Sequence, residues 1–217
     1  MTNQQPPSIV YRFGNGVYIN LTNRCPNLCV FCIKTKWKMD FHGNNLNLSD
    51  DEPTAGAVLA ALEQELKKAP FTEVVFCGYG EPTMRLDVLL FVAQTLKGWR
   101  AQAKYPPFKI RLNTNGLGNR INHKNIVPLL ANVLDEINIS LNAPDAESWL
   151  RLVQPMEEFQ DGYEDVRDFI RACAQAGFQK VVASCVDQTG VDPQAVKQAA
   201  EADGAIFYLR SFLDAQD

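Results

Sequence analysis

Read along its length, the sequence predicts an α/β domain, an open partial (β/α)6 barrel with parallel strands in a single domain. Two observations carry that expectation. Short apolar runs alternate with segments of helical periodicity, the pattern of a parallel sheet with helices outside. Within several runs, polar and apolar residues also alternate, so one face of the sheet is expected to be wet rather than covered by helices.

The first strand is expected at 17–23, where Tyr18, Asn20 and Thr22 interleave with Val17, Ile19 and Leu21. A helix over 51–68 sets Val58, Leu59, Leu62 and Leu66 at helical spacing, with Pro53 near its start. Strand 73–78 follows, then helix 86–100, which repeats Leu89, Leu90, Ala93 and Leu96. Strand 108–113 alternates Ile110 and Leu112 with Arg111 and Asn113, and a short helix at 124–133 comes next. Strand 136–141 alternates Ile137, Ile139 and Leu141 with Asn138, Ser140 and the following Asn142. Helices 145–153 and 162–176, strand 180–186, helix 192–202 and strand 205–209 complete the order. Gly177 and Gly204 sit where helices stop. In the last strand Phe207 and Leu209 interleave with Tyr208 and Arg210.

Six strand–helix units are too few for a complete eight-stranded barrel. A row of buried, unpaired amides would be costly. The polar faces are therefore expected to line a ligand-holding cavity, with solvent-facing edge positions as the alternative for any single strand. Residues 1–10 read as an N-terminal tail and 11–217 as one core domain.

The chain has 217 residues, 46% hydrophobic and 21% charged, enough for one domain with a sizeable core. A net charge of −4 offers no basic excess to hold a polyphosphate backbone. The longest apolar stretch, near 88–96, is too short to span a bilayer, and the first ten residues lack a secretory pattern. A cytoplasmic protein is expected, where thiols stay reduced and six cysteines argue for metal binding or reactivity over disulfides.

Cys25-Pro-Asn-Leu-Cys29-Val-Phe-Cys32 has C-x3-C-x2-C spacing directly after the first strand, at the end where α/β sheets place ligands. Three thiolates on a short loop can bind three irons of a [4Fe–4S] cluster, which normally takes four cysteines. The remaining iron then keeps an open position for a substrate. Cys77, Cys173 and Cys185 read as small buried hydrophobes. The rival reading is a zinc site completed by His42, although nine residues separate it from Cys32.

The cysteine spacing, with Phe31 before the third cysteine, resembles the signature of radical S-adenosylmethionine enzymes. Cys77-Gly78-Tyr79-Gly80-Glu81-Pro82 is similar to that family's glycine–glycine–glutamate–proline motif, with Tyr79 where a glycine is common. Asn113-Thr114-Asn115-Gly116 and Ser140-Leu141-Asn142 stand where the family keeps polar contacts. Thr22-Asn23-Arg24-Cys25, with 76–90 and 140–145, resembles more narrowly the small radical enzymes associated with TatD-type hydrolases.

The resemblance implies that Cys25, Cys29 and Cys32 hold the cluster and that the open iron chelates the methionine moiety of S-adenosyl-L-methionine. Gly78 and Gly80 would let backbone approach the ligand, carbonyls around Tyr79 and Gly80 would accept from its ammonium, and Glu81 would orient that end or brace the loop. Asn113, Thr114, Asn115, Ser140 and Asn142 would bond ribose hydroxyls or the carboxylate, and Phe31, Val186 and Leu209 would border the adenine. An external one-electron donor of flavodoxin or ferredoxin type would reduce the cluster. Reductive cleavage would then give a 5′-deoxyadenosyl radical that abstracts hydrogen from the substrate.

Tyr18, Asn20, Arg111, Ser184, Tyr208 and Arg210 remain as candidate substrate contacts, the two arginines suited to a carboxylate or phosphate or to an interior carboxylate. Lys34-Thr35-Lys36-Trp37-Lys38 reads as a solvated loop or, alternatively, a grip for RNA or an acidic peptide, and the polar stretch 33–48 as a lid. Three functions stay open: a radical enzyme acting on a small molecule or peptide, an activating enzyme for a partner protein or an RNA-modifying enzyme, and a non-enzymatic zinc or iron–sulfur protein.

Overall fold

The computed structural model describes residues 6–49 and 51–213. A hairpin of β1 (Val10–Phe13) and β2 (Gly16–Ile19) opens the chain. A small excursion follows, with α1 (Ile33–Lys36), β3 (Asp40–Phe41) and β4 (Asn44–Asn45). The repeating units are α2 (Ala55–Glu65), β5 (Glu73–Phe76), α3 (Leu86–Ala101), β6 (Lys109–Thr114), α4 (Gly118–Ile121) and α5 (Val127–Ala131). They continue with β7 (Glu136–Ser140), α6 (Ala146–Val153), α7 (Tyr163–Gln175), β8 (Lys180–Val186), α8 (Pro193–Ala202) and β9 (Ile206–Arg210).

The main sheet runs β1-β2-β5-β6-β7-β8-β9. All pairs from β2 onward are parallel, and only β1 is antiparallel to its neighbour. The six expected strands are therefore present, joined by Val10–Phe13, which the sequence reading does not assign as a strand and of which only Val10 falls in the expected tail. Val10–Phe13 is too short for its alternation to stand out, and it becomes a strand by pairing across the Gly14–Asn15 turn, where Gly14 takes φ +55°. Helix α2 starts at Ala55, four residues later than expected. Thr54 is extended and caps it, its hydroxyl accepting from Ala57 N at 3.2 Å. Asp145 and Asp192 cap α6 and α8 in the same way.

Period-2 alternation sorts the sheet into two faces. Val17, Ile19, Val74, Phe76, Ile110, Leu112, Ile137, Ile139, Ala183 and Cys185 point to the helices and form the main core. The other face is polar and layered by register. Glu73 and Lys109 lie at the amino ends of the strands, and Tyr18, Val75, Arg111, Glu136 and Lys180 form the next layer. Asn113, Asn138, Val182 and Ile206 come above them, then Ser140, Ser184 and Tyr208, and finally Val186 and Arg210.

The floor of this face is closed by ion pairs. Glu73 accepts from Arg111 Nε at 3.0 Å and NH2 at 2.8 Å, a bidentate pair, and Lys109 pairs with Glu136. The Glu73–Arg111 pair is mostly enclosed, so removing one partner leaves the other poorly solvated.

The excursion between β2 and α2 is in part packed: within 34–38, expected as a solvated loop, Thr35, Lys36 and Lys38 are exposed but Trp37 is not. Trp37, Leu46 and Leu48 are buried, and Tyr11, Leu46 and Tyr79 form a second core joined by Tyr18, Ile33, Met39 and Phe41. Asn20 Nδ2 and Asn23 Nδ2 both donate to Leu46 O at 2.9 Å, and Asn23 Oδ1 accepts from Leu48 N at 2.7 Å. The asparagines pin the segment where its polar composition alone suggested water.

Replacing Glu73 by Gln is expected to cost about 2 kcal/mol of stability in urea unfolding. The double variant Glu73→Gln/Arg111→Met is expected to recover most of that loss. Two additive losses would show that the pair is not a coupled structural plug.

Candidate active site

The cysteine loop leaves the carboxyl end of β2 and is held from both sides. On one side, Leu28 N donates to Gln154 O at 3.0 Å, Val30 N to Leu152 O at 2.9 Å, and Met156 N to Pro26 O at 2.8 Å. The chain after α6 thus straps the loop, helped by Gln154 in a left-handed conformation. The sequence reading missed this strap, since nothing local in 152–156 announces a partner more than a hundred residues away.

On the other side lies the loop after β5. Glu81 N donates to Arg24 O at 2.8 Å. A Cβ on Gly80 would stand 2.3 Å from Thr22 O and 2.6 Å from Arg24 O, and one on Gly78 would stand 2.3 Å from Asn20 Oδ1. The absent side chains let this loop lie directly on the cysteine loop. Tyr79 turns into the second core with Tyr11 and Leu46, and its hydroxyl donates to Asp40 O, fastening the β3–β4 hairpin. That contact accounts for a large ring where the resembling motif has glycine.

Glu81 is buried and fully engaged by protein. Oε1 accepts from Thr83 N at 3.0 Å, Thr83 Oγ1 at 2.7 Å and Thr114 Oγ1 at 2.8 Å, and Oε2 accepts from Asn115 N at 2.7 Å. Burial pushes its carboxyl above the usual range, and these four donors oppose that shift. Of its two expected roles, the geometry displays bracing of the loops. Thr114 is drawn into the same brace, with its hydroxyl on Glu81.

The other candidates divide by face. Asn113, Ser140, Ser184, Val186, Tyr208 and Arg210 share the polar face by register, and Asn142 follows β7 with its N–H on Ser184 O at 3.0 Å. Leu209 pairs in register with Cys185, a core residue, so it stands on the face opposite Val186, and the structure does not bring these two together. Phe31 packs against the main core. Arg111 is held by Glu73 and donates to Asn113 Oδ1 at 2.6 Å, and Tyr18 stacks on Tyr11 at 5.5 Å. Both lie at floor level, away from the carboxyl ends of the strands.

Burial pushes the thiols of Cys25 and Cys29 up to about 12. For Cys25 the Glu81 carboxyl adds to this, and for Cys29 the thiols of Cys25 and Cys32 do. Three soft donors on one short loop, with Cys25 and Cys29 resisting ionisation when bare, suit a cationic metal centre that would ionise them. Among the described residues Asn20 Oδ1, Asn27 Oδ1 and Asn115 Nδ2 are buried without partners. Among the described residues no group of three or more His, Cys, Asp or Glu side chains is placed to hold a metal ion. His42 stacks on Phe13 and meets Phe41 edge-on, within the aromatic cluster. That arrangement leaves the zinc reading through His42 without support, whereas a cubane takes one thiolate per iron and needs no convergence on a single ion.

A cavity of about 660 Å³ beside the loop is lined by Asn23, Arg24, Ser49, Asp51, Glu52 and Arg85, but both arginines are paired with Glu52. Among the described residues no helix is long and apolar enough to cross a membrane.

Residues 19–202 match the Radical SAM superfamily. The GTP 3′,8-cyclases of two strains of Corynebacterium glutamicum are each 29% identical over 196 residues, which is 89% of this chain and 48% of theirs. The chain thus spans about half the length of these curated relatives. A solved structure of TYW1 with a lysine-pyruvate adduct bound shares the fold at a TM-score of 0.60 and 14% identity, over 94% of this chain and 66% of that one.

Because both thiols ionise near 12 in the folded chain and near about 8.5 when unfolded, the unfolded state binds fewer protons between those values. The metal-free protein is therefore expected to lose stability as pH rises above about 8.5. Urea midpoints for the chain and for Cys25→Ser/Cys29→Ser should diverge over that window, with the variant less pH-sensitive. Parallel pH profiles would contradict the enclosed-thiol geometry.

Proposed function

The chain belongs to the radical S-adenosylmethionine superfamily, and from that premise we propose that it is an enzyme that cleaves S-adenosyl-L-methionine reductively and abstracts hydrogen from a small-molecule or peptide substrate. The observation that carries this reading is the cysteine loop itself. Three thiols are held on a short loop at the carboxyl end of the sheet, against a glycine-bearing loop that a Cβ would push away.

Cys25, Cys29 and Cys32 would hold a [4Fe–4S] cluster, leaving one iron open. When bound and reduced by an external one-electron donor of flavodoxin or ferredoxin type, the cluster with its S-adenosylmethionine supplies a 5′-deoxyadenosyl radical. The protein's part is placement and exclusion of water. Glu81 fixes the loops after β5 and β6 to each other, and its N–H fixes both to the cysteine loop. Carbonyls around Tyr79 and Gly80 would accept from the ligand ammonium. Asn115 Nδ2, together with Asn113, Ser140 and Asn142, would serve ribose or carboxylate oxygens, and Val186 would border the base. Thiols kept reduced fit a cytoplasmic setting. The likeness of Thr22-Asn23-Arg24-Cys25 to the TatD-associated enzymes is carried forward as part of this proposal.

Anaerobic reconstitution with iron and sulfide, followed by dithionite and S-adenosylmethionine, is expected to yield 5′-deoxyadenosine by chromatography. Cys29→Ala should abolish it. A reconstituted chain that carries four irons yet gives no product, with or without the reduced donor, would contradict the proposal.

A further inference from the structure

Two arginines stand on the polar face, and their surroundings differ. Arg111 is clamped by Glu73 at the floor. Arg210 ends β9 in the top layer, level with Val186. Its NH2 donates to Asn142 Oδ1 at 2.9 Å. Its Nε is enclosed and has no hydrogen-bond partner among the described residues. It forms no ion pair among the described residues.

Arginine keeps its charge in proteins, so it cannot escape burial by losing a proton. Arg210 is half-buried, and a guanidinium with one enclosed, unanswered donor is costly unless an anion completes it. Burial lowers its pKa from the ordinary arginine value, and the groups that oppose this are thiols of Cys29, Cys77 and Cys185 and the Tyr208 hydroxyl, none of them a carboxylate. A position at the carboxyl ends of the strands, beside the cysteine loop, is where a reacting molecule would sit.

We propose that the substrate carries a carboxylate or phosphate group, and that this oxyanion docks on the guanidinium of Arg210 beside Asn142. The assignment rests on the radical reading for the identity of the pocket, and it names the substrate class that the pocket takes. The planar fork of a guanidinium suits two oxygens of such a group at once. The same oxyanion chemistry could come from the methionine carboxylate of the cofactor, and the test separates the two sources.

The reconstituted full chain with S-adenosylmethionine is heated in the presence of succinate or inorganic phosphate, with chloride at matched ionic strength as control. Succinate or phosphate is expected to raise the wild-type Tm. Arg210→Gln should weaken that response by about tenfold or more, as expected for a lost charge-assisted contact. Asn142→Asp is a second variant, since Asn142 has φ +65°, a conformation that aspartate also tolerates. It sets a carboxylate against Arg210, and is expected to raise the Tm without probe and to abolish the probe response. Calorimetric affinity for S-adenosylmethionine should stay within about twofold of wild type in Arg210→Gln. The proposal is overturned if neither probe shifts the wild type, if the shift survives both variants, or if Arg210→Gln weakens S-adenosylmethionine by tenfold. 5′-Deoxyadenosine formation, measured on the same preparation, reports separately on the radical reading.

Discussion

The carboxylate of Glu81 joins three segments that are remote in sequence. Its two oxygens receive four donors from Thr83, Thr114 and Asn115, and its own N–H reaches Arg24 on the cysteine loop. A buried carboxylate is tolerable only when its lone pairs are answered, and the loops after β5 and β6 can answer them in one relative placement. The cysteine loop inherits that placement through Gly78 and Gly80, whose missing side chains allow chain-to-chain contact. Packing of helices on the outer face supports the sheet, and the mutual position of the loops at its carboxyl ends depends on this polar knot together with the strap after α6.

The polar face solves the same desolvation problem layer by layer. At the floor, Glu73–Arg111 and Lys109–Glu136 close the barrel end with paired charges. In the middle, asparagines bond backbone and one another's neighbours, with Asn20 and Asn23 both holding the carbonyl of Leu46. Towards the top the pairing runs out, and Asn115 Nδ2 and Arg210 Nε are left without partners.

Much of this was legible in residue order. The alternation in 136–141 and 108–113 gave the strands, their inward face and the placement of Asn113 and Ser140, because side-chain direction in a strand has a fixed period. The cysteine spacing gave the loop, and a resemblance carried by Cys77–Pro82 gave its neighbour. What escaped was set by partners distant in sequence. The Val10–Phe13 strand exists through pairing with Gly16–Ile19, and Trp37 is buried because a hairpin folds its polar surroundings onto Tyr11 and Tyr79. Leu209 belongs to the other face from Val186, which follows from register and could not follow from composition.

The sequence by itself determined the strand–helix order, the polar inner face and the three-thiol loop, since each is written in spacing along one stretch of chain. Tertiary structure alone decided which polar groups are free to bind. Arg111 and Arg210 look alike in sequence, each an arginine on an alternating strand, but one pairs with Glu73 from the neighbouring strand and the other, among the described residues, bonds an asparagine and no carboxylate. Whether a buried charge is a brace or a binding group depends on the partner across the sheet, and that partner is fixed by strand register and layer rather than by the residues on either side.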